Sequence, residues 1–311
     1  MPENNKKIKI GFFGGPEYSV ITLDKLCSAG FTISFVVTSI DKPKGRDLSL
    51  SPPPAKVWAL KHDIPVFQPD KLKDQSLTDR LKKYGCDVFV VMAYGKIIPE
   101  NILNIPKAKS LNIHPSLLPE FRGSCPIESA ILNDKKGTGV TIIRMDSEMD
   151  HGPLVAQKEV EVEPWPPTSH ELGNKLVSVG SDLLISILPD WINEKVNGKA
   201  SDKIKEIEQD HIKATYTKKI EKEDGLIDFK DNPYKNYLKI QAYHGWPSAY
   251  FFVNQDNNQN KDDKNKKRIR IKITQASYYN GELIIEKVIP EGKKEMVYKE
   301  FISKPKYIES I

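Results

Sequence analysis

Cysteine is scarce in this chain of 311 residues, and long apolar runs are missing. The three cysteines, Cys27, Cys86 and Cys125, are odd in number and far apart, which argues against a disulfide framework and against a cysteine-based metal site. No apolar run approaches the roughly 20 residues that a membrane-spanning helix needs. The first residues also lack the apolar core and cleavage site of a signal peptide. We therefore expect a soluble protein of the reducing cytoplasm.

A strong charge bias is also missing. The formal net charge is +5, and residues 201–311 contain 22 basic side chains against 18 acidic ones. An excess of this size is compatible with a polyanionic partner but does not predict one. The hydrophobic content of 39% fits a globular protein, and the length allows two domains that each bury a core.

No known nucleotide-binding glycine pattern is present. The first candidate loop places its glycines at Gly11, Gly14 and Gly15, which matches neither G-x-G-x-x-G nor the P-loop spacing. A tight turn before a helix explains these glycines, with Pro16 at the first helical position. We therefore expect no NAD or ATP site in this loop.

Strands alternate with helices over the first two hundred residues, which predicts an α/β fold with a mainly parallel, doubly wound sheet. A long helical pattern ends near Gly198, and Pro189 within it predicts a kink or a break. The polar residues 199–213 read as a linker. Five short strand-like runs follow and predict a small antiparallel barrel of the OB-like type. The expected domains are residues 1–200 and 201–311.

The run "LNIHPSLLPEFRG", residues 111–123, places two polar side chains inside an apolar stretch. Asn112 and His114 are two residues apart, so in a strand both point to the same face. The amide is a hydrogen-bond donor, and the imidazole can exchange a proton near neutral pH. Because ligands of open α/β sheets bind beyond the carboxyl ends of strands, this strand end is a candidate active site.

The candidate third member is Asp150 in "MDSEMDHG", which also follows a predicted strand. A carboxylate beside an imidazole orients it and favours its protonated form, and an amide with an imidazole N–H can stabilise an oxyanion. The trio suits acyl transfer to an external amine. Ser116, Ser124 and Cys125 lack the context of a covalent nucleophile.

Other interpretations of these residues are open. His114 can be a structural histidine, and Asp150 can be a turn residue. His114, Asp150 and His151 can also be read as metal ligands, although their spacing matches no common zinc pattern. The remaining histidines, His62, His170, His211 and His244, read as surface or packing residues.

Longer motifs resemble a known family. The runs "AYGKIIP", "NIHPSLLPEFRG" with "PIESAIL", and "GVTIIRMDSEMDHGPLV" resemble the folate-dependent formyltransferases. The similarity extends from "IGFFGGPEYS" to "YTKKIEKEDGLIDF" and "AYHGWPSAYF", and it is greatest with the members of the family that formylate methionyl-tRNA. It therefore covers nearly the whole chain, whereas the glycinamide-ribonucleotide members are similar over the first domain only.

The resemblance implies a function for each domain. The first would be a Rossmann-like formyltransferase domain that uses 10-formyltetrahydrofolate as donor, and the second a barrel that contacts initiator methionyl-tRNA, with a monomer as the expected state. The implied catalytic residues are Asn112, His114 and Asp150. The residues implied to lie against the folate are Ser116, Leu117, Leu118 and Pro119, and the loop implied to approach the tRNA contains Lys44 and Arg46. No metal is implied.

The chain departs from the family pattern beside the catalytic residues. It has His151 where the family usually has a small residue, and Pro115 where glycine is usual. The residues after "KGR" are also less basic than usual. Two other functions are compatible with the sequence: a sugar-nucleotide N-formyltransferase with the same donor and trio, and an RNA-binding protein without catalytic activity.

Overall fold

The computed structural model describes residues 5–44, 49–199, 204–255 and 267–303, and the chain divides into two compact units. The first comprises Met1–Pro126, Gly137–Glu161 and Gly173–Thr217, and the second comprises Ile127–Lys136, Val162–Leu172 and Lys218–Ile311. Two internal segments therefore join the C-terminal part of the chain. The domain boundary at residue 200 stays a prediction. No helix within the described ranges is long and apolar enough to cross a membrane.

The first unit is built on a mainly parallel sheet. Its strands are β1 (Lys9–Gly14), β2 (Thr32–Val37), β3 (Lys42–Lys44), β4 (Ser49–Ser51), β5 (Val66–Phe67), β6 (Val88–Met92), β7 (Ser110–His114), β8 (Thr138–Arg144) and β9 (Leu154–Val160). Among the described residues, seven strands form one sheet in the order β5-β2-β1-β6-β7-β8-β9, and β3 pairs with β4 in a hairpin. The pairs from β5 to β7 are parallel, while β7–β8 and β8–β9 are antiparallel. The predicted Rossmann-like fold class is confirmed.

Helices cover both faces of this sheet. The helices up to residue 197 are α1 (Glu17–Ser28), α2 (Pro54–Lys61), α3 (Gln75–Lys82), α4 (Glu100–Leu103), α5 (Pro126–Leu132) and α6 (Ser169–Asn197). Side chains of α1, α2 and α6 form one apolar core with the sheet, and side chains of α3 and α4 form another on the opposite face. All five residues of β6 are buried, as expected for a central strand covered on both sides.

Side chains of β7 alternate between the two faces. Leu111 and Ile113 belong to the core that contains α6. Because successive side chains of a strand point in opposite directions, Asn112 and His114 face the other side. The spacing in the sequence thus predicted correctly that the amide and the imidazole share a face.

The first strand–helix turn is closely packed. Ser19 Oγ accepts a hydrogen bond from the Gly15 N–H at 2.8 Å and donates to the Met92 carbonyl at 2.8 Å. A Cβ atom on Gly14 would lie 2.5 Å from that hydroxyl oxygen, so this position has room only for glycine. Gly14 therefore has a packing role in this turn.

The helix α6 continues through Pro189, so the predicted break there is wrong, while the alternative of a kink stays a prediction. Leu184, Leu188 and Trp191 are fully buried on either side of the proline. The Trp191 indole N–H also donates to the Ala108 carbonyl at 2.8 Å. A proline inside a helix costs about 3 kcal/mol, and burial of several large side chains exceeds that cost.

Replacing Leu188 with alanine is expected to lower the free energy of unfolding by about 2–5 kcal/mol, because it leaves a cavity in a packed core. Chemical denaturation monitored by circular dichroism measures the change. Leu60→Ala is the matched control, since Leu60 is 59% exposed and loses little packing. Equal losses in the two variants would contradict the burial of α6.

The second unit contains an antiparallel sheet. Its later elements are α7 (Pro233–Ala242), β10 (Tyr250–Gln255), β11 (Lys267–Tyr279), β12 (Glu282–Pro290), β13 (Met296–Val297) and α8 (Tyr298–Ile302). Within the described part of the chain, four strands pair in the order β10-β11-β12-β13, all antiparallel. This confirms the antiparallel class predicted for the C-terminal region.

Two of the predicted C-terminal strands differ in the structure. In the run "GLIDF" only an isolated bridge forms, between Leu226 and Tyr250. The run "MVYKEFI" is a two-residue strand followed by α8, in which Phe301 is fully buried. Tyr298 and Phe301 are three residues apart, which places both on one face of a helix but on opposite faces of a strand, so the spacing favours the helix that forms.

Asp134 connects separate segments of the second unit. Its Oδ1 atom accepts hydrogen bonds from the Trp165 indole at 2.7 Å and from the Tyr234 hydroxyl at 2.9 Å. Burial and then the Asp134 carboxylate raise the pKa of Tyr234 to about 12. These polar contacts hold two internal segments to the N-terminal end of α7.

Candidate active site

Asn112 and His114 lie within the last three positions of β7, on either side of Ile113. His114 is 3% exposed, and its Nε2 atom lies 2.9 Å from the Phe121 carbonyl oxygen. Because a carbonyl oxygen can only accept, Nε2 carries a hydrogen, and Nδ1 is the nitrogen that can gain or lose the second proton. The half-buried Asn112 amide makes no side-chain hydrogen bond to any residue that the structure describes.

Asp150 faces the second nitrogen of this imidazole. The distance from Asp150 Oδ1 to His114 Nδ1 is 3.6 Å, which is within ion-pair range but too long for a direct hydrogen bond. Asp150 Oδ2 accepts a hydrogen bond from the Gly123 N–H at 2.8 Å. The structure therefore places the carboxylate beside the imidazole, with Asn112 on the same face of β7, and the carboxylate is anchored to the loop that follows β7.

Asp150 does not lie at the end of a strand parallel to β7, where a parallel sheet would place it. Since β8 is antiparallel to β7, with Arg144 opposite Leu111, β8 ends at the far end of β7 from His114. The loop of residues 145–153 must return across about 10 Å to reach the imidazole. Gly152 permits this return, because a Cβ atom there would overlap the Arg144 carbonyl oxygen.

The predicted folate segment, Ser116–Pro119, is held by polar groups of β8 and β9. Thr141 Oγ1 donates to the Ser116 carbonyl at 2.7 Å and accepts from the Leu118 N–H at 3.1 Å. Gln157 donates to the Leu118 carbonyl at 2.9 Å. Ser116 is fully buried, and its hydroxyl donates to the Glu120 carbonyl at 2.6 Å. Leu117 and Pro119 are the half-buried members of the segment.

A buried arginine connects this loop to residues 204–217, which we call the crossing segment. Arg122 is 1% exposed, and its guanidinium contacts Gln209, His211 and Tyr216. Its backbone also pairs with Thr215 and Thr217. The described residues place no carboxylate in ion-pair range of the guanidinium. The crossing segment is therefore packed within the first unit, and the interpretation of its residues 204–213 as part of a linker is wrong.

Two histidines of the site loops are stacked. The rings of His151 and His211 lie 4.1 Å apart and are parallel to within 1°. His151 Nδ1 is 2.8 Å from Asp146, and His211 Nδ1 is 2.8 Å from the Arg122 guanidinium. Because the guanidinium can only donate, His211 Nδ1 accepts. The unusual His151 thus packs against His211, which the sequence had suggested only as a surface or packing residue.

Ion pairs hold the start of the crossing segment. Glu206 binds Arg144 at the end of β8 and Lys195 in α6. Burial acts to raise the pKa of the Glu206 carboxyl, but hydrogen bonds from Lys195 and Arg144 lower it below its ordinary value. Leu154 and Ile207 add a pair of backbone hydrogen bonds.

The predicted tRNA-binding residues are only partly described. Lys44 is the last residue of β3, and Arg46 lies outside the described residues. The exposed Lys42 begins the same hairpin. In the part of the chain that the structure describes, no group of three or more potential metal ligands is present.

Several residues that support the site were not predicted from the sequence. Thr141 could have been found by the signal that identified Asn112, because it is a polar residue inside an apolar strand. Gln209 and His211 carried no such signal, since they lie in an irregular polar stretch distant in the sequence from their partners.

Comparisons with known proteins identify the family of the chain. Residues 7–188 match the model of the formyl transferase family, and residues 219–282 match the formyl transferase C-terminal domain. The three predicted catalytic residues therefore lie inside the first match, whereas the crossing segment lies between the two matches.

Curated relatives extend the similarity over most of the chain. A methionyl-tRNA formyltransferase of Chloroflexus aggregans is 44% identical over 79% of this chain and 76% of the relative. A methionyl-tRNA formyltransferase of Thermodesulfovibrio yellowstonii is 35% identical over 94% of both chains. The solved methionyl-tRNA formyltransferase of Clostridium thermocellum shares the fold, with a TM-score of 0.55 at 15% identity over 91% of this chain and 98% of the other. The chain is an enzyme that belongs to the formyl transferase family.

Proposed function

We propose that this enzyme transfers the formyl group of 10-formyltetrahydrofolate to the α-amino group of methionine on initiator tRNA. The observation that carries the proposal is the shared face of Asn112 and His114, with the Asp150 carboxylate 3.6 Å from the imidazole. The names of the relatives at 44% and 35% identity support the acceptor. A monomer acting in the cytoplasm, where charged tRNA is used, remains part of this proposal.

In the proposed mechanism, the neutral amine attacks the formyl carbon and the carbonyl oxygen becomes an oxyanion. The Asn112 amide and the Nδ1–H of His114 donate hydrogen bonds to this oxygen, and Asp150 stabilises the imidazolium. When the intermediate collapses, the bond between the carbon and the folate N10 breaks. The proton released by the amine passes to N10, with His114 and Asp150 as its carriers.

The proposed folate contacts lie in the rigid loop after β7. Leu117 and Pro119 are half-buried and would pack against the donor, whereas Ser116 and Leu118 are buried and shape the loop from within. The hydrogen bonds of Thr141 and Gln157 hold its backbone. A loop held in this way binds a rigid ligand at a low cost in entropy.

We propose two contacts with tRNA, one in each unit. The first is the β3–β4 hairpin region with Lys44 and Arg46. The second is one face of β11, where Arg268 and Arg270 alternate with the core residues Ile269 and Ile271.

Aromatic rings lie beneath these two arginines. The Arg268 guanidinium lies 4.5 Å from the Phe252 ring, and that of Arg270 lies 5.6 Å from the Tyr250 ring. Exposed basic groups interleaved with aromatic rings are typical of nucleic-acid surfaces.

The test is formyl transfer from 10-formyltetrahydrofolate to charged initiator tRNA at several salt concentrations, with amino-sugar nucleotides as competing acceptors. We expect formylmethionyl-tRNA and a KM for tRNA that rises steeply with salt. In Arg268→Gln/Arg270→Gln the slope of log affinity against log salt should fall by about 1 for each lost phosphate contact. Lys230→Gln/Lys235→Gln, which removes two exposed charges at α7, is the control.

Three outcomes would contradict the proposal. Formylation of the amino sugar alone would indicate a sugar N-formyltransferase. Tight tRNA binding without formyl transfer to any acceptor would indicate a non-catalytic RNA-binding protein. An equal change of the salt slope in the arginine and lysine variants would mean that the β11 arginines do not bind tRNA.

A further inference from the structure

We propose that Gln209 is a positioning residue for Asp150, a role that rests on the proposed function of that carboxylate. Gln209 is 5% exposed and lies in the crossing segment, outside both family matches. Its amide connects the loop after β7 with the loop that carries Asp150. It does not contact the proposed reacting atoms.

The Gln209 amide has a complete set of hydrogen bonds. Its Nε2 atom donates to the Asp150 carbonyl at 2.9 Å and to the Gly152 carbonyl at 2.7 Å. Its Oε1 atom accepts from Arg122 Nη2 at 2.7 Å and from Arg122 Nε at 3.2 Å. Two donors and two acceptor sites are the full capacity of this side chain. Such a satisfied buried network specifies one arrangement of the groups that it connects.

The backbone that Gln209 holds has an unusual conformation. Asp150 has a φ of 50°, in the left-handed region that non-glycine residues seldom adopt. A residue keeps this conformation only when its surroundings hold it there. The two carbonyls bonded by Gln209 belong to Asp150 itself and to the second residue after it, so they lie where the chain turns.

The same amide fixes the position of the Asp150 carboxylate relative to His114. Arg122 directly follows Phe121, whose carbonyl binds His114 Nε2, and directly precedes Gly123, whose N–H binds Asp150 Oδ2. Gln209 therefore connects the backbone on both sides of the His114–Asp150 pair. Displacement of a reacting group by about 1 Å can cost about 10²-fold in rate.

The experiment compares Gln209→Met, Gln209→Glu and the control Glu206→Gln in the full-length enzyme. Gln209→Met removes all four hydrogen bonds, while Gln209→Glu keeps an acceptor for Arg122 but loses both donors. Glu206→Gln weakens the ion pairs of the same segment without touching the Asp150 loop. Single-turnover formyl transfer, both KM values and Tm are measured for each.

We expect both Gln209 variants to lose about 10²-fold in kcat with KM values near those of the wild type. Gln209→Glu should keep a higher Tm than Gln209→Met, because its carboxylate pairs with Arg122. Glu206→Gln should lower Tm without lowering kcat per folded molecule. A near-normal kcat per folded molecule in Gln209→Glu, or equal kcat losses in Gln209→Glu and Glu206→Gln, would overturn the proposal.

A second measurement separates this proposal from the proposed function. The ring nitrogen NMR signals of His114 should change in both Gln209 variants, because these substitutions move Asp150. The same signals should stay unchanged in Glu206→Gln, which does not move Asp150. This readout needs no substrate. Wild-type enzyme without activity on methionyl-tRNA would refute the function alone, whereas unchanged His114 signals in both Gln209 variants would refute the positioning role.

Discussion

His114→Ala is expected to lower kcat by about 10²–10⁴-fold, the usual contribution of a positioned acid or base. The KM values for folate and tRNA should change little, since the lost interaction forms in the transition state. The histidine is nearly fully buried, so the variant also leaves the Phe121 carbonyl without its donor. That defect should cost about 1–3 kcal/mol of stability, which Tm measures separately.

Two further variants distinguish catalysis from structure at this position. His114→Gln keeps an amide donor for the Phe121 carbonyl, so Tm should recover in part while kcat stays low. His62→Ala is the control. His62 stacks on Trp58 in α2, away from the proposed reacting groups, so its replacement should leave kcat unchanged. If His114→Ala turned over at the wild-type rate per folded molecule, the proposed mechanism would be wrong.

Asp150→Asn is expected to lower kcat by about 10²-fold or more, because the charge that stabilises the imidazolium is lost. Asparagine keeps an oxygen that can accept from the Gly123 N–H, and it tolerates the positive φ of this position better than most residues. The variant should therefore fold normally. Single-turnover rates and Tm together measure the electrostatic effect.

The control for this variant lies in the same loop. Asp146 binds His151 rather than His114, at 2.8 Å. Asp146→Asn makes the same chemical change without touching the proposed reacting groups, so its loss of kcat should be far smaller. Similar losses in the two variants would mean that loop structure, and not the Asp150 charge, determines the rate.

Much of the first domain could be predicted from local patterns. The alternation of β7 and the continuous burial of β6 follow from strand geometry, so the shared face of Asn112 and His114 was accessible from spacing alone. The role of Asp150 came from family resemblance and its place near a strand end. Its actual route was not predicted, because antiparallel pairing of β8 depends on which strands become neighbours.

Local sequence patterns predicted secondary structure less well at two places in the chain. Pro189 lies inside α6 because Leu184, Leu188 and Trp191 are buried around it. The run "MVYKEFI" is largely α8, in which Phe301 packs into the apolar core of the second unit. In α6, tertiary burial outweighed the local signal from the proline.

The sequence by itself determined the α/β class, the antiparallel C-terminal sheet, the family and the pairing of Asn112 with His114. These depend on residue order within one element, or on motifs that extend along the chain. Only the tertiary structure decided that Arg122, Gln209 and His211 meet beside Asp150. Those contacts join irregular segments about 60 to 90 residues apart in the sequence. Irregular segments lack the periodic pattern from which the hydrogen-bond partners of a helix or strand can be predicted. Their buried polar groups are paired only in the folded chain.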